Sequence, residues 1–159
     1  FQNVTRPGVE LWFCGKGQNE AVNRPIAQDT RIKSLGFVSE EKLINLSKQA
    51  DIFVNPRPSS IPGNERNFPS KILEYLTFGK PVVSTWTPGL APEYRDVLIV
   101  PDEENPQFLA QTIDRVFAWE CQDLENYFSC TKRFLETTRT WELQARRLLE
   151  WLTQGAFTR

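Results

Sequence analysis

Five short apolar runs, at residues 9–14, 32–37, 52–54, 82–85 and 97–100, alternate with segments of helical periodicity, and this leaves few folds open. Strands that are each followed by a helix pair in parallel, and parallel strands are buried beneath helices on both faces. The pattern predicts an α/β, Rossmann-like domain in three layers, with a mostly parallel sheet of about five strands. The clearest early helix follows Ser39, an N-cap residue. Glu40 and Glu41 occupy its positively polarised first turn, and Leu43, Ile44, Leu46 and Ala50 form its expected buried side. After residue 105 the alternation stops, and segments near 106–119, 123–138 and 141–153 read as helix, with Thr140 capping the last. Trp141, Leu148, Leu149, Trp151 and Leu152 make that last helix strongly apolar. The 159 residues, 40% apolar, suffice for one core and not two, and contain no repeats or linkers.

Between the third and fourth runs, residues 67–85 read N-F-P-S-K-I-L-E-Y-L-T-F-G-K-P-V-V-S-T. Pro69 is tolerated in a first helical turn and Gly79 supplies a left-handed stop, so residues 69–78 are expected to be a short helix. At about 100° per residue, Ile72, Leu73 and Leu76 form one stripe. Ser70, Lys71 and Glu74 fall on the opposite arc, together with Tyr75 and Phe78. A solvated helix face would account for the three polar residues, but two aromatics on the arc count against it. A helix start carrying a lysine suits phosphate oxygens, and a carboxylate one turn further in suits ribose hydroxyls. The loops after the third and fourth runs, with three prolines and Gly63 in residues 55–67 and Pro88, Gly89 and Pro92 beyond, are placed where ligands bind in such sheets.

Composition removes several kinds of chemistry. With no histidine, histidine acid/base catalysis and histidine metal sites are excluded from these residues. Three cysteines, Cys14, Cys121 and Cys130, lack C-x-x-C spacing and read as reduced, buried thiols. Net charge is −1, which gives no case for nucleic acid. Residues 1–80 hold 11 Lys+Arg against 8 Asp+Glu and residues 81–159 hold 8 against 12, so an anion site is expected in the first half. No apolar run approaches the roughly 20 residues of a membrane span, and no signal peptide is visible. There is no methionine, so the chain is expected to be a piece of a longer protein.

The ordered motifs G-K-G at 15–17, L-G-F-V at 35–38, A-D-I-F-V-N-P-R at 50–57, F-P-S-K-I-L-E-Y-L at 68–76, G-K-P-V-V at 79–83 and P-G-L-A-P-E-Y at 88–94 carry a family resemblance. Together they resemble the donor-binding, C-terminal half of GT-B glycosyltransferases. The likeness is to bacterial exopolysaccharide and capsule enzymes of the retaining group 1 (family 4) type. The resemblance implies that Gly15 and Gly17 let backbone approach a ligand. Phe37 and Val38 belong to the segment that contacts the base, largely through backbone groups, although as side chains both read as core. Phe68, Pro69, Ser70 and Lys71 face the diphosphate, Glu74 binds the ribose, and Gly89 and Leu90 approach sugar or phosphate. Asn55 and Arg57 line the same crevice, where Arg57 either pairs with phosphate or ties down its loop. Glu93 and Tyr94 read as loop anchors.

Two departures matter. The family's Glu-x7-Glu pair would put its first acid at position 66, which is Arg66, with Glu65 one residue earlier as a substitute in a bulged loop. The family's donor domain also begins one strand and one helix earlier, with an Arg and a Lys that neutralise the leaving diphosphate. Residues 1–159 thus read as a donor domain truncated at its amino side, with the acceptor domain elsewhere. By itself the chain is expected to be inactive.

By the same resemblance the full-length protein transfers a hexose from a UDP-, GDP- or ADP-sugar to a saccharide or lipid-linked saccharide, in polysaccharide synthesis. Lys71 stabilises the leaving phosphate. No cofactor or metal is expected; the nucleotide sugar is substrate. The implied location is cytoplasmic, with peripheral association at the inner face of the membrane. A nucleotide-sugar epimerase half, a receiver-like module and a non-catalytic interaction domain are the alternatives. The receiver-like one needs acidic residues after the first strand and a phosphorylatable Asp after the third, where Gly15, Lys16 and Asn55 stand.

Overall fold

The computed structural model describes residues 1–16, 28–64 and 68–155. Strands β1 (Leu11–Phe13) and β2 (Ile32–Ser34) pair in parallel, Leu11 opposite Ile32. Strands β3 (Phe53–Asn55) and β4 (Val82–Ser84) form a second parallel pair, Phe53 opposite Val82. The fifth apolar run does not become a full strand. It contributes a single bridge, in which the Ile99 N–H donates to the Val82 carbonyl at 3.0 Å and the Ser84 N–H donates to the Ile99 carbonyl at 3.1 Å. Its start is held instead by a 3₁₀ turn over Pro92–Asp96, whose Tyr94 carbonyl accepts from the N–H groups of Val97 and Leu98.

The five helices among the described residues are α1 (Glu40–Gln49), α2 (Lys71–Thr77), α3 (Pro106–Phe117), α4 (Cys121–Thr138) and α5 (Trp141–Gly155). Ser39 caps α1 by accepting from the Lys42 N–H at 3.3 Å. Its inner stripe is Leu43, Leu46, Ser47 and Ala50, the i, i+3, i+4, i+7 set, so Ile44, one residue off that stripe, is exposed rather than buried. Asn105 caps α3 through the N–H groups of Gln107 and Phe108. The α4 helix starts at Cys121 because Glu120 and Asp123 form a reciprocal capping box. Thr140 caps α5 through the Leu143 N–H.

Alternation along β3 and β4 separates two cores. Phe53 and Val82 point to one face, where Ile72 and Leu76 of α2, Phe134 of α4, Leu90, Tyr94, Val97 and Leu98 are buried. Val54 and Val83 point to the other, against Ala110, Ile113 and Val116 of α3 and the amino-terminal Val4 and Val9. This is the expected helix–sheet–helix layering. The opening segment is fastened to α3: the Thr5 N–H and hydroxyl donate to Asp114 Oδ2 at 2.9 and 2.7 Å, and the Arg6 N–H donates to Oδ1 at 3.3 Å. Burial opposes ionisation of Asp114, yet these donors hold its pKa below the ordinary value.

The α4 helix is pinned to the sheet by Tyr127. Its hydroxyl donates to the Val97 carbonyl at 2.7 Å and accepts from the Val82 N–H at 3.1 Å, and burial pushes its pKa up to about 12. The cysteines are free but not buried: Cys121 is exposed, and Cys14 and Cys130 are half-buried.

Candidate functional site

Parallel pairing sends the loops after β1 and β2 off one edge of their pair, and those after β3 and β4 off one edge of theirs. After β1, the Gly15 N–H donates to the Gly36 carbonyl at 2.9 Å, which extends the β1–β2 pairing and draws Gly15 and Phe37 together. The Lys16 ammonium lies 4.7 Å from the centroid of the Phe37 ring. Phe37 is 73% exposed, which corrects its assignment as a core side chain, while Val38 is half-buried. Gly36 turns the chain there with φ of +64°, a conformation open to glycine at little cost.

On the helix that follows β3, Tyr75 lies close enough to the Cys14 thiol at the end of β1 to feel its charge. The helix is shorter than the sequence pattern suggests. Pro69 is buried outside it, Ser70 has helical backbone but makes no capping bond, and the Ile72 N–H donates to the Pro69 carbonyl at 2.9 Å. Ser70, Lys71 and Glu74 are all exposed. The two aromatics assigned to their arc face the core instead. Tyr75 stacks on Phe53 with ring centroids 4.5 Å apart and planes within 9°, and Phe78 lies 5.5 Å from Phe53. A helix this short, wedged beside β3 and β4, is covered on two sides, so the exposed arc shrinks to Ser70, Lys71, Glu74 and Thr77. Burial raises the Tyr75 pKa, and Glu74 and the Cys14 thiol at the end of β1 add to the shift. Phe68 is half-buried, with its ring 5.4 Å from that of Tyr94.

After β3 and β4 the side chains are largely structural. Asn55 is buried and its Nδ2 donates to Ser84 Oγ at 3.0 Å, so its amide ties the two strand ends together instead of facing a crevice. The Arg57 carbonyl accepts from the Thr85 hydroxyl, which anchors that loop by its backbone. The Leu90 N–H closes a turn onto the Thr87 carbonyl at 3.0 Å. This leaves Gly89 half-buried and sends the Leu90 side chain into the core, so contact with a ligand there falls to backbone. Glu93 and Tyr94 are anchors, as their sequence position suggests. Glu93 pairs with Arg147 at 3.3 Å and Arg139 at 3.9 Å, and Tyr94 is 2% exposed. Sequence gave no sign of these arginine partners, 54 and 46 residues away. Gly17, Glu65 and Arg66 lie outside the described residues.

Two hollows lie elsewhere. One of about 220 Å³ sits between α2 and α4 beside Gly79 and Phe128, and one of about 430 Å³ beside Asp96, Cys130 and Arg133. Neither reaches Lys71 or Glu74, whose surroundings form an open shelf. Among the described residues no group of three or more His, Cys, Asp or Glu side chains is placed to hold a metal, and no helix is long and apolar enough to cross a membrane.

Residues 1–118, which include every strand among the described residues and the whole shelf, match the glycosyl transferases group 1 family. The chain belongs to this family. No curated protein matches it in sequence at a significant level. Among solved structures it is similar to HepE of Anabaena in complex with UDP and glucose, with a TM-score of 0.70 and 18% identity over 96% of this chain and 42% of HepE. It is also similar to WaaG, a glycosyltransferase involved in lipopolysaccharide biosynthesis, with a TM-score of 0.62 and 17% identity over 92% of this chain and 38% of WaaG. A third is the catalytic domain of the cholesterol-α-glucosyltransferase of Helicobacter pylori, with a TM-score of 0.60 and 21% identity over 82% and 80% of the two chains. The chain thus spans about two fifths of the length of HepE or WaaG, and its fold is that of part of a GT-B glycosyltransferase.

Proposed function

We propose that this group 1 glycosyltransferase chain supplies the donor side of the enzyme and holds the nucleotide diphosphate of a UDP-sugar on the α2 shelf. The observation that carries this is the exposed trio of Ser70, Lys71 and Glu74 at the start of α2, the helix that follows the loop after β3. The UDP bound in the similar HepE structure supports the choice of nucleotide. Transfer breaks the bond between the sugar and the β-phosphate, so negative charge grows on that phosphate as the sugar leaves. Lys71 faces it with a full positive charge, reinforced by the partial charge of the α2 start. The Glu74 carboxylate accepts the ribose hydroxyls. Gly15, Gly89 and the turn at Leu90 contribute backbone, and Arg57 adds a second cation along the same edge. Gly17 and Glu65 complete the proposed set, with Glu65 on the sugar.

The acceptor in this proposal is a saccharide or lipid-linked saccharide bound by a domain outside these 159 residues, with the protein at the cytoplasmic face of a membrane. The lipopolysaccharide role of WaaG and the sterol acceptor in the name of the Helicobacter enzyme are in keeping with such acceptors. Titration of the full-length protein with UDP, GDP and ADP tests the site. UDP is expected to bind tightest, and Lys71→Ala and Glu74→Ala each to weaken it by about tenfold, the loss of one charge-assisted contact. Both side chains are exposed, so thermal stability should hardly move. If neither substitution weakens any nucleotide, the assignment of this shelf is wrong.

A further inference from the structure

The shelf is braced from the far end of the chain. Glu93, in the turn that follows Gly89 and Leu90, accepts from Arg147 of α5 and faces Arg139 at the α4–α5 junction. The Arg139 side chain is 13% exposed, and its guanidinium lies over the Tyr94 ring at 4.4 Å and near the Phe134 ring at 5.6 Å. Tyr94 meets Phe134 edge-on at 5.1 Å and Phe68 at 5.4 Å, and Phe68 leads directly into Pro69, Ser70 and Lys71. A buried guanidinium is costly unless its N–H groups are paired. Yet Nε and Nη2 of Arg139 are buried with no hydrogen bond among the described residues. What holds this cation is two ring faces and the nearby Glu93 charge. Its seat is therefore set by the position of Tyr94, and the position of Tyr94 by its seat.

We propose that Arg139 is a positioning residue for the phosphate side of the donor site. It clamps Tyr94 against Phe68 and so fixes where Lys71 is presented. The inference rests on the assignment of Lys71 as a phosphate contact made above. Its consequence is a coupling between the helical carboxyl end and the nucleotide, carried by packed rings without contact between Arg139 and the ligand.

A double-mutant cycle on the full-length protein, read by UDP titration, separates positioning from a merely structural role. Arg139→Lys keeps the charge and loses the flat stacking surface. It is expected to weaken UDP about fivefold when Lys71 is present and less than twofold in the Lys71→Ala background, because the two residues act as one unit. Should Arg139→Lys not fold, Arg139→Met removes the buried charge at similar volume and gives the same two comparisons. Equal losses in both backgrounds, or no loss in either, overturn the proposal while leaving the shelf assignment intact. No effect of Lys71→Ala alone overturns the shelf assignment, and this inference with it.

Discussion

The two faces of the β3–β4 pair are built from different materials. The buried centre of the α3 face is aliphatic, Val83, Ala110, Ile113 and Val116 with Val4 and Val9, and its aromatics, Phe1, Phe117 and Trp119, sit only at the half-buried rim. The α2 face sets rings into its buried centre beside Ile72, Leu76 and Val82, with Phe53 stacked on Tyr75, Phe78 tilted beside it, and Phe68, Tyr94 and Phe134 in ring-to-ring contact. Aliphatic packing excludes water and is indifferent to direction. Ring pairs have preferred angles and offsets, so each ring constrains the next. Ser70, Lys71 and Glu74, the side chains proposed to hold the diphosphate and ribose, belong to the helix that packs on the α2 face. The contrast indicates that one face supplies stability and the other supplies stability and aim.

The largest expected effect comes from deleting the same side chain on each face. Ile72→Ala beneath α2 and Ile113→Ala beneath α3 remove residues 0% and 6% exposed, and each should cost about 2–5 kcal/mol in chemical denaturation. Only Ile72→Ala should also weaken UDP for the fraction that remains folded. Equal weakening by Ile113→Ala would erase the distinction between the faces. Tyr127→Phe comes next. It leaves the Val82 N–H without its partner and should cost about 1–3 kcal/mol, with little effect on UDP. Because the folded state holds the Tyr127 proton up to about 12 against an ordinary 10.0, stability from this group is intact below pH 10 and declines as pH rises toward 12. Tyr127→Phe should flatten that decline in thermal melts.

The smallest effect is at acid pH. Glu93 has its pKa lowered from 4.5, first by its own backbone N–H and then by Arg139 and Arg147, against a desolvation that raises it. Its contribution is present above pH 4.5 and lost as pH falls through the depressed value. The Glu93 side chain is 37% exposed, so the slope should be shallow, and Glu93→Gln should remove it.

Local signals carried much of the fold and less of the site. Ser39, Asn105 and Thr140 start their helices through backbone bonds that neighbouring residues determine, and the β4 run is buried on both faces as its composition suggests. The Glu120-x-x-Asp123 box could have moved the start of α4 from 123 to 121, since both of its halves are local. The helical wheel misled at Tyr75 and Phe78 because it records angle and not neighbours: a second packing face, supplied by Phe53, looks like a ligand face until β3 is in place. Phe37 was misplaced for the opposite reason, since an apolar residue after a strand reads as core whether or not anything covers it. The Glu93, Arg139 and Arg147 cluster joins two ends of a long stretch of chain, and no local pattern could have paired them.

The bonds from Thr5 and Arg6 to Asp114 bear on how the protein is made. Their partners stand 109 and 108 residues apart, so the opening segment cannot take its place until α3 has left the ribosome. Until then Val4, Val9 and Val83 lack their α3 partners Ala110, Ile113 and Val116, although β1, β2, β3 and β4 are already synthesised. A nascent chain that stalls in that interval would present a sticky, half-built sheet to its neighbours, which makes α3 the step that ends its exposure to aggregation.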